Sequence, residues 1–170
     1  DHSRFHAVIN EDAEIIGTTR SIVGFWHELP IGQFTRIDYA DEDPMCELSS
    51  IVVEPSLRST GVLEHLCREG WTFAMRDGAR TLAALGERWM IEYFRSVYCM
   101  PFVPAAVPQH YMGAEIVPMT MSMSPEAMAE VGRENPEWLW WNLENFTASE
   151  IEKFGYAPLT RDAMRSRVTR

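Results

Sequence analysis

The alternation of apolar and polar residues predicts strands in the first third of the chain. Residues 5–9 and residues 15–23 are rich in β-branched and aromatic side chains, and the polar residues 10–12 separate them. Two such runs joined by a short polar turn predict an antiparallel hairpin. Residues 24–45 contain prolines, glycines and an acidic cluster at residues 38–43, so they are predicted to be mostly loop.

A strand, a turn and a helix are predicted next. Residues 47–53 form the clearest strand, and Pro55 is expected to end its regular pairing because proline has no N–H for a sheet ladder. After a polar turn, apolar and small residues recur at helical spacing until Arg76-Asp77-Gly78 stops the helix. These aligned residues are Leu63, Leu66, Cys67, Gly70 and Ala74.

A second strand and helix follow the first pair. Residues 81–85 predict a short buried strand, and residues 88–98 predict a helix. The side chains expected on the packed face of that helix are Met90, Tyr93, Phe94 and Val97. Extended chain, interrupted by prolines, is predicted from Pro101 to about Met123.

The last part of the chain carries helix-start signals. Ser124 followed by Pro125 is typical of an N-cap with proline at the first helical position. Thr147 with Glu150 fits a capping box. We therefore expect a core domain at residues 1–123 and a helical C-terminal extension at residues 124–170. The element order predicts a mixed α/β layer architecture.

Composition narrows the function classes. The formal net charge of -10 and the pI of about 4.9 disfavour nucleic-acid binding, which draws on Lys and Arg. No apolar run approaches the ~18 residues of a membrane span, and the first residues do not resemble a signal peptide. Three cysteines without metal-ligand spacing are expected to be reduced, buried thiols. A cytoplasmic protein without a bound metal is the expectation.

The most informative segment runs from Ile51 to Leu63. An apolar strand stops at a proline, passes Arg58 and Gly61, and enters an amphipathic helix. The start of a helix offers unpaired N–H groups and a positive dipole end, which favour a phosphate. Gly61 permits close approach to such a ligand, and Arg58 adds positive charge. The alternative is an ordinary strand-to-helix loop.

This segment resembles the acyl-CoA-binding signature of the GCN5-related N-acyltransferases. Val53-x-Pro55-x-x-Arg58-x-x-Gly61 matches Val-x-Pro-x-x-Arg-x-x-Gly-x-Gly/Ala, with Leu63 in place of the last small residue. The resemblance implies a twisted, mostly antiparallel sheet that is splayed at its centre and flanked by helices. It also implies an acyl-CoA or acyl-phosphopantetheine co-substrate. The implied cofactor-binding residues are Ile51, Val52, Val53, Arg58, Ser59, Thr60, Gly61, Val62 and Leu63, with Ile51 and Val53 facing the pantetheine.

A second motif lies downstream. Residues 93–98, from Tyr93 to Tyr98, resemble the family's Tyr-x-x-Leu-Gly-Phe, with Val97 in place of Gly and Tyr98 in place of Phe. The resemblance implies that Tyr93 protonates the departing thiolate. Packing of Tyr93 in the core beside Met90 and Phe94 is the alternative.

Two further segments are similar to the branch that makes acyl-homoserine lactone autoinducers and N-acyl amino acids. Glu47-Leu48-Ser49-Ser50 is similar to its Glu-x-Ser-Arg, without the arginine, and residues 16–20 are similar to its Gly-Thr-x-Arg strand. This branch, associated with quorum sensing, implies acyl carrier protein as donor and a small amine as acceptor. The acidic net charge disfavours docking of an acidic carrier, and the branch's N-terminal helices have no counterpart in the sequence.

The chemistry of amine acylation suggests roles for these residues. A carboxylate on the central strand can take the proton of the amine, so Glu47 is the candidate base, and a solvent-facing glutamate at a strand end is the alternative. A freed N–H near Val52 or Val53 can hold the developing oxyanion. Cys67 or Cys99 with His65 or His110 lack the spacing expected of a nucleophile and its base.

Three hypotheses about the function follow from these residues. The first is an N-acyltransferase that uses a long-chain acyl thioester, with methionines lining an acyl channel or simply packing the core. The second is an acetyl-CoA-dependent N-acetyltransferase, and the third is a non-catalytic sensor of a thioester or lipid. A Trp-rich helix containing Trp138, Trp140 and Trp141 is expected either to pack on the core or to form a homodimer contact.

Overall fold

A seven-stranded, mostly antiparallel sheet forms the centre of the computed structural model, which describes residues 2–34 and 43–168, with the side chains up to residue 166. The strand order is β1-β2-β3-β4-β7, and β5 and β6 both pair with β7. The strands are β1 (Ser3–Ile9), β2 (Ile15–Gly24), β3 (Met45–Val53), β4 (Thr81–Gly86), β5 (Val103–Pro104), β6 (Gln109–Tyr111) and β7 (Ala114–Ser122). The predicted hairpin of β1 and β2 is confirmed.

Helices flank the sheet and follow it in the chain. They are α1 (Val62–Arg76), α2 (Arg88–Tyr98), α3 (Pro125–Glu134), α4 (Pro136–Leu143), α5 (Ala148–Lys153) and α6 (Arg161–Val168). The predicted caps are confirmed: Ser124 accepts a hydrogen bond from the Ala127 N–H, and Thr147 forms a capping box with Glu150. None of the helices in the described part of the chain is long and apolar enough to cross a membrane.

Strands β3 and β4 diverge at the centre of the sheet. They are parallel, and residues 45–48 pair with residues 81–84. Beyond Leu48 and Ala84 no further pairs form between them, although β3 continues to Val53 and β4 to Gly86. The sheet predicted to be splayed at its centre is therefore observed.

A bulge bends β3 just past this point. The β2–β3 register shifts between Thr18 and Arg20, and Ser50 has a φ of 52°. A bulge places two residues of one strand opposite one residue of its partner and increases the local twist. The bulge therefore turns the outer half of β3 away from β4.

Two apolar clusters hold the layers together. The larger lies between one face of the sheet and the helices, and it includes Trp71 of α1 and the fully buried Tyr156. Trp71 stacks on Trp138 of α4 with ring centroids 6.2 Å apart, so the C-terminal helices share this core. The smaller cluster covers the other face near Met45 and Ala83, beneath two 3-10 turns at Trp26–Glu28 and Pro30–Gln33.

Two details differ from the sequence expectations. Val97 is 46% exposed and does not belong to the packed face of α2, where Ile91, Phe94 and Tyr98 are buried instead. Residues 24–34 are not an open loop but two compact turns that insert Trp26, Leu29 and Ile31 into the smaller core. Most of the acidic cluster at residues 38–43 lies outside the described residues.

Candidate functional site

A cavity of about 290 Å³ opens where β3 and β4 diverge. Its strand side is formed by residues of β3 and β4 at and beyond their last pair, Leu48 and Ala84. Its far side is formed by apolar residues of α1, α2, β7 and the segment after α2. The lining residues are Leu48, Ser49, Ser50, Ile51, Cys67, Ala84, Leu85, Met90, Phe94, Met100, Phe102 and Met119. The cavity therefore pairs an incompletely bonded strand with an apolar chamber.

The predicted anion cradle lies at the outer end of β3. Pro55–Leu57 forms a 3-10 turn, and Gly61 precedes α1 with a φ of 92° and no side-chain cap. A Cβ on Gly61 would meet no atom within 4 Å, so the backbone here faces open space. The first N–H groups of α1 are consequently available to a ligand, because a helix leaves its first four amides without partners inside the helix.

The side chains of this turn divide into exposed and buried sets. Arg58, Ser59 and Thr60 are exposed. Val62 packs so closely on β2 that a Cβ on Gly17 would lie 2.6 Å from its Cγ1. Leu63, which replaces the family's last small residue, packs partly buried against the larger core. The bulk of Leu63 therefore contributes to the core.

The positions of the three strand residues also differ. Ile51 lines the cavity, whereas Val52 is 61% exposed and pairs with Thr18. Val53 pairs with Gly17 at the end of β3. Of the residues expected to face pantetheine, Ile51 is the one that contributes to the wall of the cavity.

Glu47 is buried on the β3 strand with 1% of its surface exposed. Its Oε2 accepts a hydrogen bond of 2.7 Å from the N–H of Ile31 in the second 3-10 turn. Burial raises the pKa of the Glu47 carboxyl to about 7, against the opposing effects of the Ile31 N–H and of Arg20. A solvent-facing glutamate at a strand end is therefore wrong, and the carboxyl changes charge near neutral pH.

Glu47 lies on the same face of β3 as Ser49, which lines the cavity. The two residues are two positions apart along the strand, so their Cα atoms are separated by ~6.6 Å. Glu47 itself does not line the cavity. A water molecule is therefore needed to carry a proton from a ligand in the cavity to this carboxyl.

Arg20 of β2 is a functional candidate that the sequence reasoning used only as part of a motif. It pairs with Ser49 while Ile22 pairs with Glu47, so Arg20 and Glu47 are diagonal neighbours on one face. The Arg20 Nε atom is buried and has no hydrogen-bond partner among the described residues. Arg20 also forms a 3.4 Å hydrogen bond to Ser3 Oγ, and its guanidinium lies over the ring of Phe5.

Tyr93 lies on α2 between two residues that line the cavity, Met90 and Phe94. It is partly buried, and its ring contacts Trp89, Phe94 and Tyr98. The Tyr93 hydroxyl is 3.2 Å from the Tyr98 hydroxyl. Tyr93 thus packs against the core, as the alternative predicted, and it also lies beside the cavity.

Tyr98 extends this contact to the start of α1. Its hydroxyl donates a 2.5 Å hydrogen bond to Oε1 of Glu64, in the first turn of that helix. Burial raises the pKa of the Tyr98 hydroxyl far above its usual value, and the bonds to Glu64 and Tyr93 add to this effect. Sequence reasoning missed Tyr98 and Glu64, although the tyrosine in place of the motif's phenylalanine was a visible signal.

The structure does not support a cysteine nucleophile. Burial raises the pKa of the Cys46 and Cys67 thiols to about 12. Burial likewise raises the pKa of Cys99. His65 instead packs against the ring of Trp141, and His110 is exposed on β6. Within the described ranges, no group of three or more His, Cys, Asp or Glu side chains could hold a metal ion.

Comparison with other proteins gives structural but not sequence relatives. No family model matches the sequence, and no curated protein matches it. Among solved structures, the CoA-dependent acyl-homoserine lactone synthase MesI aligns with a TM-score of 0.56 at 19% identity, covering 79% of this chain and 69% of MesI. FeeM, an N-acyl amino acid synthase from uncultured soil microbes, aligns with a TM-score of 0.59 at 14% identity, covering 76% and 71%.

A third structure extends the comparison. Arabidopsis thaliana NAA60, in complex with a bisubstrate analogue, aligns with a TM-score of 0.51 at 15% identity, covering 71% of this chain and 74% of its own. At these identities the alignments show the fold alone. Together with the splayed sheet and the glycine turn, they show that this chain has the fold of the GCN5-related N-acyltransferases, as seen in an acyl-homoserine lactone synthase and an N-acyl amino acid synthase.

Proposed function

We propose that the protein is an N-acyltransferase that moves an acyl group from a pantetheine thioester to a primary amine. The observation that carries this proposal is the divergence of β3 and β4 beside the open Gly61 turn. The unpaired edge of β3 can bond to the amides of a pantetheine arm. The turn can hold its phosphate, and the sulfur then lies near the apolar cavity.

The size and lining of the cavity support a donor with a medium or long acyl chain. An apolar cavity of ~150 Å³ holds one benzene ring, so about 290 Å³ accommodates roughly ten carbon atoms. Met90, Met100 and Met119 contribute flexible apolar walls, and methionine adapts well to chains of varied shape. An acetyl group would leave most of this volume empty.

For the donor, acyl-CoA or acyl carrier protein offers the same pantetheine arm. MesI is a CoA-dependent synthase, which supports acyl-CoA as one co-substrate here. A carrier protein presents a single phosphate, which the exposed Arg58 and the first amides of α1 can also bind. We propose a test of both donors.

For the acceptor, Glu47 and Arg20 favour an amine that carries a carboxylate. Glu47, with its pKa near 7, can take the proton of the amine through water. The unpaired Nε of Arg20 lies on the same face and can bind a carboxylate. FeeM acts as an N-acyl amino acid synthase, which supports an amino acid as the acceptor class.

In the proposed reaction the amine attacks the thioester carbon and Glu47 receives a proton. The developing oxyanion is held by backbone N–H groups at the bulge of β3, near Val52. The C–S bond then breaks, its electron pair passes to sulfur, and Tyr93 supplies the proton that yields the free thiol.

The test is transfer from acyl thioesters of increasing length, from acetyl to tetradecanoyl, to a mixture of amino acids. We expect amide formation from medium and long chains carried by coenzyme A or by acyl carrier protein. Activity confined to acetyl-CoA would instead identify an N-acetyltransferase. In an enzyme, Glu47→Gln and Tyr93→Phe should each lower the rate. A non-catalytic sensor would instead show no turnover in the wild type, and both variants would bind the thioester as well as the wild type does.

A further inference from the structure

The hydroxyl groups of Tyr93 and Tyr98 and the carboxyl of Glu64 form a continuous hydrogen-bonded chain. The two hydroxyls are 3.2 Å apart, and Tyr98 donates to Glu64 over 2.5 Å. The chain joins α2, beside the cavity, to the first turn of α1, where the donor phosphate is proposed to bind. Three side chains therefore connect the proposed phosphate site to Tyr93, the residue proposed to protonate the sulfur.

The direction of this chain follows from proton counting. An ionised carboxylate can only accept hydrogen bonds, and each phenol has a single proton. Tyr98 gives its proton to Glu64, so its oxygen accepts from Tyr93. The hydroxyl proton of Tyr93 therefore points toward Tyr98, and is not offered to a ligand, while Glu64 is ionised.

A phosphate at the start of α1 would change this arrangement. Gly61 is the N-cap, so Glu64 is the third residue of the helix and its own N–H belongs to the proposed cradle. Like charges placed close together disfavour the ionised form of a carboxyl. A bound phosphate therefore favours the protonated form of Glu64, and a protonated carboxyl can donate to Tyr98.

We propose, on the basis of the function proposed above, that Glu64 and Tyr98 are positioning residues that couple donor binding to the proton on Tyr93. When the phosphate binds, Glu64 takes up one proton and keeps it, and the hydrogen bonds reverse direction. The protonated Glu64 then donates a hydrogen bond to Tyr98, Tyr98 donates one to Tyr93, and the Tyr93 hydroxyl turns toward the sulfur. On cleavage of the C–S bond, sulfur takes the Tyr93 proton, Tyr93 takes that of Tyr98, and Tyr98 takes that of Glu64. The carboxylate is thereby restored, and one proton has been taken up and one delivered.

Other charged groups around Glu64 set the conditions of the test. Cys67 lies one turn further along α1. Burial, and to a smaller extent the charge of Glu64, raises the pKa of its thiol, so the thiol stays protonated. The titratable or charged side chains near Glu64 on the neighbouring turn and on the two helices include His65, which directly follows Glu64 in the chain, and Arg58, Cys67, Arg68, Glu69, Tyr93 and Tyr98. Histidine is the side-chain type that ordinarily titrates between pH 5 and 8, so a His65→Gln variant separates proton uptake at His65 from uptake at Glu64.

The experiment measures proton uptake when dephospho-coenzyme A binds. This ligand keeps the pyrophosphate but lacks the phosphate monoester, which itself titrates near pH 6. Calorimetry in two buffers of different ionisation enthalpy, between pH 5 and 8, gives the number of protons exchanged. We expect net uptake of up to about one proton and a Kd that rises by up to about tenfold per pH unit.

Glu64→Gln should abolish most of this uptake, whereas Glu69→Gln removes an equal charge from an exposed site on the same helix and should retain it. Binding without proton uptake, or uptake that survives Glu64→Gln, would overturn the coupling while leaving the proposed function intact. Absence of binding by the wild-type protein would overturn the coupling, whereas the proposed function would be overturned only if acyl carrier protein also supported no transfer.

A kinetic measurement tests the path through Tyr98. Tyr98→Phe removes one hydroxyl, and we expect kcat to fall by about tenfold or more with little change in KM. In the double variant Tyr93→Phe/Tyr98→Phe, the loss should not exceed that of Tyr93→Phe alone, because residues that act in one chain are not additive. Additive losses would indicate a packing role for Tyr98 and would contradict the proposal.

Discussion

The carboxylate of Glu47 accepts a 2.7 Å hydrogen bond from the backbone N–H of Ile31, which precedes it by 16 residues. The carboxyl lies beneath the turn that carries Ile31, and Glu47 is almost completely buried. The shielding raises the pKa of Glu47 to about 7, so its charge is sensitive to small changes in pH. Two predictions about pH depend on this relationship.

The first prediction concerns the rate of acyl transfer. A general base must be ionised, so the rate should rise with pH through a midpoint near 7. Glu47→Gln should lower kcat by about a hundredfold or more and remove this midpoint. Glu54→Gln is the matched control, because Glu54 is exposed just beyond the end of β3 and should leave the pH profile unchanged. A wild-type profile that is flat from pH 5.5 to 8.5 would contradict the assignment (range set at roughly 1.5 units to either side of the midpoint).

The second prediction concerns stability. The pKa of Glu47 is raised in the folded protein from 4.5 to about 7, so the folded state holds a proton that the unfolded state releases. The stabilisation from this proton is complete below pH 4.5 and is lost as pH rises through about 7. Its upper value is roughly 3 kcal/mol.

Chemical denaturation of wild type and Glu47→Gln at several pH values measures this effect. The difference between their unfolding free energies should change in favour of the variant as pH rises, because the amide never ionises but can still accept from Ile31. Using the difference removes the contribution of His6, whose pKa is lowered by burial and which acts in the opposite direction. Parallel stability curves for the two proteins would show that Glu47 does not titrate in this range.

The third prediction concerns the glycine turn. Gly61 and Gly78 have φ angles of 92° and 93°, and in both cases an added Cβ meets nothing within 4 Å. Gly61→Ala and Gly78→Ala should therefore cost a similar amount of stability, about 1 kcal/mol each. Only Gly61→Ala should weaken binding of coenzyme A, by about tenfold, because its methyl group intrudes on the proposed phosphate site. Equal affinities of the two variants would place the phosphate elsewhere.

The fourth prediction concerns acyl length. Met90 lines the cavity and is only partly buried, so Met90→Ala should enlarge the chamber at modest cost in stability. We expect the preferred acyl chain to lengthen by about two carbons, in proportion to the volume released. Met112→Ala is the control, since Met112 is 87% exposed. An unchanged preference in kcat/KM across acyl thioesters would show that the chain does not occupy this cavity.

Local sequence signals were sufficient for much of the framework. Pro55 ends β3, Gly61 provides the left-handed residue before α1, and Ser124 and Thr147 cap helices as their positions predict. These features depend on residues within one turn of one another. The α2 helix was also predicted with its observed bounds. Its packed face was predicted incorrectly at Val97, because the face that α2 buries is centred on Ile91, Phe94 and Tyr98.

The chemistry of the site depends on contacts that no local pattern contains. The burial of Glu47 requires a turn 16 residues away, and the Tyr98–Glu64 bond joins residues 34 positions apart. The diagonal relation of Arg20 to Glu47 depends on the β2–β3 register, which the bulge shifts between Thr18 and Arg20. Candidate residues could therefore be named from the sequence, but their protonation and their partners could not.

The end of β3–β4 pairing at Leu48 and Ala84 has a consequence for the dynamics of the sheet. Amides at residues 45–48 are bonded or covered on both sides and should exchange with deuterium slowly, whereas those of residues 49–53 that face the gap should exchange quickly in the free protein. Ligand amides entering the gap would slow this exchange residue by residue. The protection pattern would then report the depth to which a thioester enters, without any turnover being measured.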